Sequence, residues 1–308
     1  MVLRAPTRVY RHAVFDSSRW DEFVARPDDI VITTSMKAGT TWTQGIVASL
    51  LWPDGAAPGY VGELSPWLDA RWVPIEDVLK MLAAQAHRRF IKTHTPADGV
   101  PIFEATKYVV VGRDGRDVFM SIINHWDKMR HAFTHLLNEL AGPDVADMPI
   151  WNGDVHGFFD SFISRGSFPW EDDGAPWWSH FNHCATWWEL RNEPNVLFVH
   201  YNDMLADLEC EMRRIADFLA IDVSEQHWPA VVERCRLDEM REDAKKAQQL
   251  DLAFVGGADS FFYKGSNGRW RGVLTDAELA RYDARVAEAL SPEAAAWLER
   301  GRLVARVA

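Results

Sequence analysis

The chain has 308 residues, of which 47% are hydrophobic and 25% charged, an ordinary globular composition. Its 33 basic and 45 acidic residues leave a net charge of −12. That argues against non-specific nucleic-acid binding, which needs a basic footprint, so any anionic ligand must be held by a few local cations and backbone amides. Cys184, Cys210 and Cys235 show no C-x-x-C spacing, which indicates neither a disulfide framework nor a zinc site and fits a reduced, cytoplasmic compartment. Met1 to Phe15, with Arg4, Arg8 and Arg11 among its apolar residues, lacks a secretory apolar core. No stretch has the apolar length needed to span a bilayer.

Four short apolar runs read as strands: Ile30–Thr33, Phe90–Lys92, Tyr108–Gly112 and Val196–His200. None alternates cleanly, as expected of strands buried on both faces. Helical patterns lie between them, such as Asp207–Ala220 with Leu208, Met212, Ile215 and Leu219 at helical spacing. The alternation predicts an α/β fold, a central parallel sheet flanked by helices, with ligands at the carboxyl ends of the strands. From Glu139 to Asp173 there are eight acidic residues and one basic one, Arg165, together with Trp151, Phe158, Phe159, Phe162, Phe168 and Trp170. This segment reads either as a lid or binding loop or as a surface excursion packed on its own aromatics.

The first motif, Thr33-Thr34-Ser35-Met36-Lys37-Ala38-Gly39-Thr40-Thr41-Trp42, links the first strand to a helix predicted over Thr43–Leu51. Unpaired amides at a helix start favour an anion. Gly39 permits close backbone approach, Thr40 and Thr41 offer hydroxyls, and Lys37 adds charge. These are the parts of a phosphate cradle; the plainer alternative is a βα turn with threonine caps. The lysine precedes the glycine, so this is not the G-x-x-x-x-G-K-[ST] loop.

The second motif, Phe90-Ile91-Lys92-Thr93-His94, puts Lys92 and His94 on one face of a strand end. There a histidine can accept a hydroxyl proton and a lysine can stabilise transferring oxygens. The third runs from Arg113 to Ser121, which lies about two helical turns further on. An arginine fork with a hydroxyl suits a terminal phosphate; a solvated Arg–Asp helix start with Arg113, Asp114, Arg116 and Asp117 is the alternative. Tyr201, after the fourth strand, is either a ligand contact or a core residue.

Taken in order over Ala25 to Trp270, these motifs closely resemble those of the cytosolic sulfotransferase family, whose fold is P-loop-NTPase-like. The family uses 3′-phosphoadenosine 5′-phosphosulfate (PAPS), its product being adenosine 3′,5′-bisphosphate (PAP). The resemblance implies that Lys37, Ala38, Gly39, Thr40, Thr41 and Trp42 hold the 5′-phosphosulfate, with Ala38 where the family has serine. It implies that His94 is the general base beside Lys92 and Lys37, and that Arg113 and Ser121 grip the 3′-phosphate. Tyr201 would contact the adenine. Leu237 stands where a stacking phenylalanine is usual, in Leu237-Asp238-Glu239-Met240. Tyr263-Lys264-Gly265 resembles the family's R-K-G, leaving Lys264 and Gly265 as donor contacts and Tyr263 in place of one phosphate-binding arginine. The tail lacks the dimer signature of many animal members, and no oligomeric state is predicted.

The resulting expectation is one domain over residues 1–308, with an acceptor-side insertion or lid at about 131–180. It would transfer a sulfuryl group to a small aromatic or apolar phenol or alcohol, with no metal. Trp67, Trp72, Trp151 and the aromatics at 158–170 are candidates for the acceptor wall; Trp177, Trp178, Trp187 and Trp188 fit a packed helix. The rivals are a magnesium-dependent nucleotide-hydrolysing P-loop enzyme, against which the lysine placement argues, and a non-catalytic nucleotide-binding module, against which Lys92 and His94 argue.

Overall fold

Every residue of the segment Ile30–Thr34 (β1) is buried, the condition under which a strand reads as a continuous rather than alternating apolar run. In the computed structural model, which describes residues 1–164, 179–248 and 250–302, β1 pairs in parallel with Phe90–Thr93 (β2) on one side and Lys107–Gly112 (β3) on the other; Val196–His200 (β4) extends the sheet beyond β3. The order is therefore β2-β1-β3-β4; the four apolar runs are the four parallel strands. Val2–Arg4 and Ile102–Phe103 form a separate antiparallel pair.

Both faces of the sheet are covered. Ile30 and Ile32 point to a core shared with Ile46 and Val47 of the helix Thr40–Leu51 (α1) and with Met212 and Ile215. Val31, Ile91, Tyr108 and Val110 pack on the other side with Trp20 and Trp187. The predicted helix at 207–220 runs over Leu208–Leu219. Asp207 lies outside as its cap, accepting from the Cys210 amide at 3.0 Å, and Ala220 ends it in a left-handed conformation. The helix after β1 starts at Thr40, three residues earlier than its apolar pattern suggests, because Gly39 with φ of 121° serves as its N-cap.

The aromatic, acidic region includes the helices His131–Ala141 and Val155–Ser164. Phe159 and Phe162 are fully buried, packed on Phe119 of the helix Gly115–Lys128 (α2). Trp151 packs against Trp126 and Phe158. These aromatics therefore belong to the core that backs α2, not to a segment packed only on itself. Phe168, Trp170, Trp177 and Trp178 lie outside the described residues. Trp187 and Trp188 end the helix His180–Trp188 (α3), as expected of a packed helical region. Among the described residues no helix is long and apolar enough to cross a membrane.

The sheet is pinned at its amino end by a buried ion pair. Arg89, just before β2, donates from Nε to Asp29 Oδ1 at 2.8 Å and from Nη2 to Oδ2. Asp29 immediately precedes β1, and its carbonyl receives the Lys107 amide at 2.9 Å. Asp29 thus links the starts of three strands, through its carboxylate to Arg89 and through its carbonyl to Lys107. Removing one partner strands a buried charge, so Arg89→Met is expected to lose about 3–5 kcal/mol of stability, measured by urea unfolding. A loss below about 1 kcal/mol, the scale of a surface pair, would show that the pair is not a structural anchor.

Candidate active site

Each of the four parallel strands delivers one functional segment at its carboxyl end. Ser35–Gly39 follows β1, His94 follows β2, Arg113 follows β3 and Tyr201 follows β4. The chain leaves β1 for β2 on one side, then crosses to β3 on the other. The connections after β1 and β3 thus diverge, and the crevice between them is where such sheets take ligands.

The loop after β1 is built for close approach. Lys37 and Gly39 both have positive φ, 63° and 121°, a backbone alternation that turns successive amides toward one concavity. A side chain at Gly39 would be strained by that φ and would come 3.1 Å from the Tyr201 ring. Ala38 is buried, and no side chain caps the start of α1, so the positive end of its dipole faces the loop. Thr40 Oγ1 lies 2.6 Å from Thr34 Oγ1. Thr41 is half-buried on the first turn. Trp42 donates from Nε1 to the Cys235 carbonyl at 2.9 Å and meets Tyr201 edge-on at 5.1 Å.

His94 is buried, with Nδ1 2.9 Å from the Thr34 carbonyl oxygen. A carbonyl only accepts, so Nδ1 carries the proton and the lone pair resides on Nε2. Burial, reinforced by Lys92, pushes its pKa down to about 3; the ring is neutral and in the form that accepts a proton. Trp67 stands edge-on to it at 4.7 Å and to Trp72 at 5.0 Å, while the Lys92 ammonium lies 5.4 Å from the Trp67 ring. Trp67 and Trp72, candidates for the acceptor wall, thus lie together beside His94.

Lys37 extends between Phe261, 4.3 Å from its ammonium, and His125, whose Nδ1 lies 3.3 Å from Nζ. Burial, then Arg113, Lys92 and Arg269, lower its pKa to about 7. Lys92 is lowered to about 8 by burial, against the opposing pull of Asp69. Ammonium groups this easily deprotonated mark a pocket in which positive charge is crowded and poorly hydrated.

Arg113 crosses the crevice. Its Nη1 donates to the Lys37 carbonyl at 3.1 Å, and Nε and Nη2 donate to Asn267 Oδ1 at 3.0 and 2.8 Å. Its guanidinium lies over the Tyr201 ring at 3.9 Å. The arginine–aspartate alternative holds for its neighbour instead: Arg116 pairs with Asp114 and Glu299, while Asp114 also caps α2. Ser121 is half-buried on α2, two turns beyond Arg113, and the arginine's fork is directed to Asn267 instead. Tyr201 is nearly buried, and its hydroxyl donates to the Gly265 carbonyl at 3.3 Å. Leu237, opening the helix Leu237–Ala247, packs so closely on Gly265 that an added Cβ would lie 2.8 Å away. Lys264 is exposed, its ammonium 5.2 Å from the Tyr263 ring.

The structure thus gathers Lys37, Ala38, Gly39, Lys92, His94, Arg113, Tyr201, Leu237 and Gly265 around one crevice, while Lys264 faces outward. Three participants were not singled out from sequence. His125 and Asn267 meet Lys37 and Arg113 from 88 and 154 residues away. Arg269 acts electrostatically on Lys37, Arg113 and Tyr201. Its only local signal was a place inside the glycine-rich run Gly265–Trp270.

The comparisons agree with this arrangement. Residues 27–292 match the family model described as "Sulfotransferase domain". The chain is 33% identical to a glycolipid sulfotransferase of Mycobacterium bovis, covering 96% of this chain and 94% of that one. It is 26% identical to sulfotransferase 1A1 of Rattus norvegicus, covering 87% of each. In fold it resembles retinol dehydratase in a complex with retinol and PAP, with a TM-score of 0.68 at 22% identity, covering 90% of this chain and 85% of that one. It also resembles mouse sulfotransferase SULT7A1 complexed with PAP, with a TM-score of 0.67 at 22% identity, covering 90% of each. With the family model spanning most of its length, and with a cationic crevice at the carboxyl ends of a parallel sheet, the chain belongs to the sulfotransferase family.

Proposed function

We propose that the enzyme transfers a sulfuryl group from PAPS to the hydroxyl of an apolar acceptor, with His94 as general base. The observation that carries this reading is the convergence of a neutral, oriented imidazole with Lys37, Lys92 and Arg113 at one crevice. The residues fit the donor's charge: three cations and an uncapped helix start face a ligand with phosphates at both ends of its ribose. The new bond joins the acceptor oxygen to sulfur as the bond from sulfur to the phosphate oxygen breaks. His94 Nε2 takes the acceptor's proton. Lys37 offsets charge on the departing phosphate oxygen, and Lys92 and the loop amides face the transferring oxygens.

Tyr263 removes one cation that relatives place on the 3′-phosphate. Arg269 supports a replacement: its guanidinium lies 5.2 Å from the Tyr263 ring and interacts with Arg113 and Lys37. Among the described residues it forms no ion pair with a carboxylate. The acceptor reading rests on Trp67 and Trp72 beside His94 and on Phe254 and Phe261 beside His125, at 4.6 and 5.9 Å. A long-chain or glycolipid hydroxyl is the second acceptor class, favoured by the mycobacterial relative's description. The acidic balance of the 139–173 segment disfavours carboxylated acceptors.

Incubation with PAPS and a panel of phenols, simple alcohols and glycolipids, read by mass spectrometry, tests the function. A gain of one sulfuryl group is expected. Magnesium-dependent ATP turnover without it would favour a P-loop hydrolase, and nucleotide binding without turnover a binding module. His94→Ala should abolish turnover while retaining PAP binding, and normal turnover would refute the base assignment. PAP affinity should fall as pH rises through about 7, because Lys37, placed against the phosphate oxygen, is charged only below that value; a pH-independent dissociation constant would contradict its role. Arg113→Ala and Arg269→Ala should each weaken PAP binding by about 1.5–3 kcal/mol, with Tyr263→Arg restoring affinity to the Arg269→Ala variant. An unchanged dissociation constant in either single variant would place the 3′-phosphate elsewhere.

A further inference from the structure

We propose that Asp69 is a positioning residue of the catalytic loop, clamping the strand end that carries Lys92 and His94 from behind and supplying the counter-charge to Lys92. The proposal rests on the active-site reading above.

Alternation along β2 and its continuation puts Lys92 and His94 on one face and Thr93 and Thr95 on the other. The side chain of Asp69 engages that second face. Its Oδ2 accepts from Thr93 Oγ1 at 2.5 Å and Thr95 Oγ1 at 2.8 Å, the two hydroxyls that flank His94 in sequence. It also accepts from Trp20 Nε1 at 2.9 Å, which ties the clamp to the core under the sheet. Thr93 Oγ1 in turn accepts from the Thr95 amide at 3.0 Å, closing a tight turn around the base. The backbone holds Asp69 as firmly: its carbonyl receives the Asp16 amide at 2.7 Å, and the preceding Pro66 carbonyl receives the Lys92 amide at 3.1 Å.

Asp69 is fully buried. Desolvating a carboxylate is costly, and the hydroxyls and the indole could also bond, more weakly, to the carbonyl of an uncharged asparagine. Burial raises the Asp69 pKa, and the hydrogen bonds from Thr93, Trp20 and Thr95 oppose that shift; when ionised, the carboxylate adds a charge that an asparagine in the same bonds would not. It favours the charged form of two cations, Lys92 and Arg19. Arg19 is bound to the carbonyls of Ala70 and Val73, away from the crevice. Lys92 is in the crevice, where its desolvated ammonium must stay protonated to stabilise the transferring oxygens. Asp69 therefore has two separable effects: a geometric one through two threonine hydroxyls and an electrostatic one on a lysine.

The two effects predict different signatures. Asp69→Asn keeps an acceptor for the hydroxyls but removes the charge. It is expected to lower kcat about tenfold or more, to leave the PAP dissociation constant within about threefold, and to move the basic limb of the pH–rate profile to lower pH as Lys92 loses its proton more readily. The double variant Thr93→Val with Thr95→Val keeps the charge but removes the clamp; it should lower kcat similarly with the basic limb unmoved. The assay uses PAPS with the best acceptor from the panel, and circular dichroism confirms folding. If both variants fold and keep kcat within about twofold, with the wild-type pH profile, the proposal is overturned. If Asp69→Asn does not fold, the threonine variant decides, and an unchanged kcat there overturns the clamp. Full turnover by Lys92→Ala and His94→Ala would instead refute the active-site reading itself, a result independent of Asp69.

Discussion

Everything at the crevice depends on holding like charges together in a poorly hydrated space. Lys37 is repelled by Arg113, Lys92 and Arg269, Arg113 by Arg269, and burial penalises Lys37, Lys92 and Arg113. Free side chains would separate into water. They stay because three are fixed to or beside strand ends of a sheet buried on both faces; neutral groups take the hydrogens of Lys37 and Arg113, while Asp69 offers Lys92 an opposing charge. Asn267 and the Lys37 carbonyl receive the arginine, and His125 receives the lysine. A carboxylate in those places would neutralise the field; amide, carbonyl and imidazole acceptors leave it available to an anion. The chain is acidic overall, which makes this local excess of positive charge the more selective.

The sheet order explains why such a site can exist. Divergence of the connections after β1 and β3 opens the crevice, and Arg113 spans it to reach the backbone of the facing loop. Positive φ at Lys37 and Gly39 lets that loop approach closely. The buried Arg89–Asp29 pair fixes the opposite end of the same strands, so the catalytic ends are set by a rigid frame and not by the loops alone. His94 illustrates the result: one bond from β1's last carbonyl chooses its tautomer, and its neighbours keep it neutral.

Family resemblance and geometry also divide the donor grip in an informative way. Arg113 and Gly265 both meet Tyr201, while Lys264 is exposed and Arg269, in the same glycine-rich run, acts on the cations. A motif fixes which residue types are near one another in the chain. Which of the two basic side chains, Lys264 or Arg269, turns inward depends on the backbone turn between them at Gly265 and Gly268, with φ of 62° and 79°, and on the anchoring of the Gly268 amide by Asp117 at 2.6 Å.

The sequence by itself determined the parallel sheet and its strand-end motifs. Strands buried on both faces must be apolar runs, a βα turn that admits an anion needs glycine and cations, and both requirements are local in the chain. It also determined the chemical family, because ordered motifs at strand ends are short segments whose spacing survives translation into structure. Tertiary structure alone decided the rest. Helix ends depended on caps at Gly39 and Asp207; the aromatics at 158–162 became core because α2 packs over them. His125, Asn267, Arg269 and Asp69 gained their roles by contact across long separations, which no local pattern encodes. The opening strand-to-helix loop was legible as a phosphate cradle; the neutral imidazole that meets its lysine from 88 residues away was decided by packing.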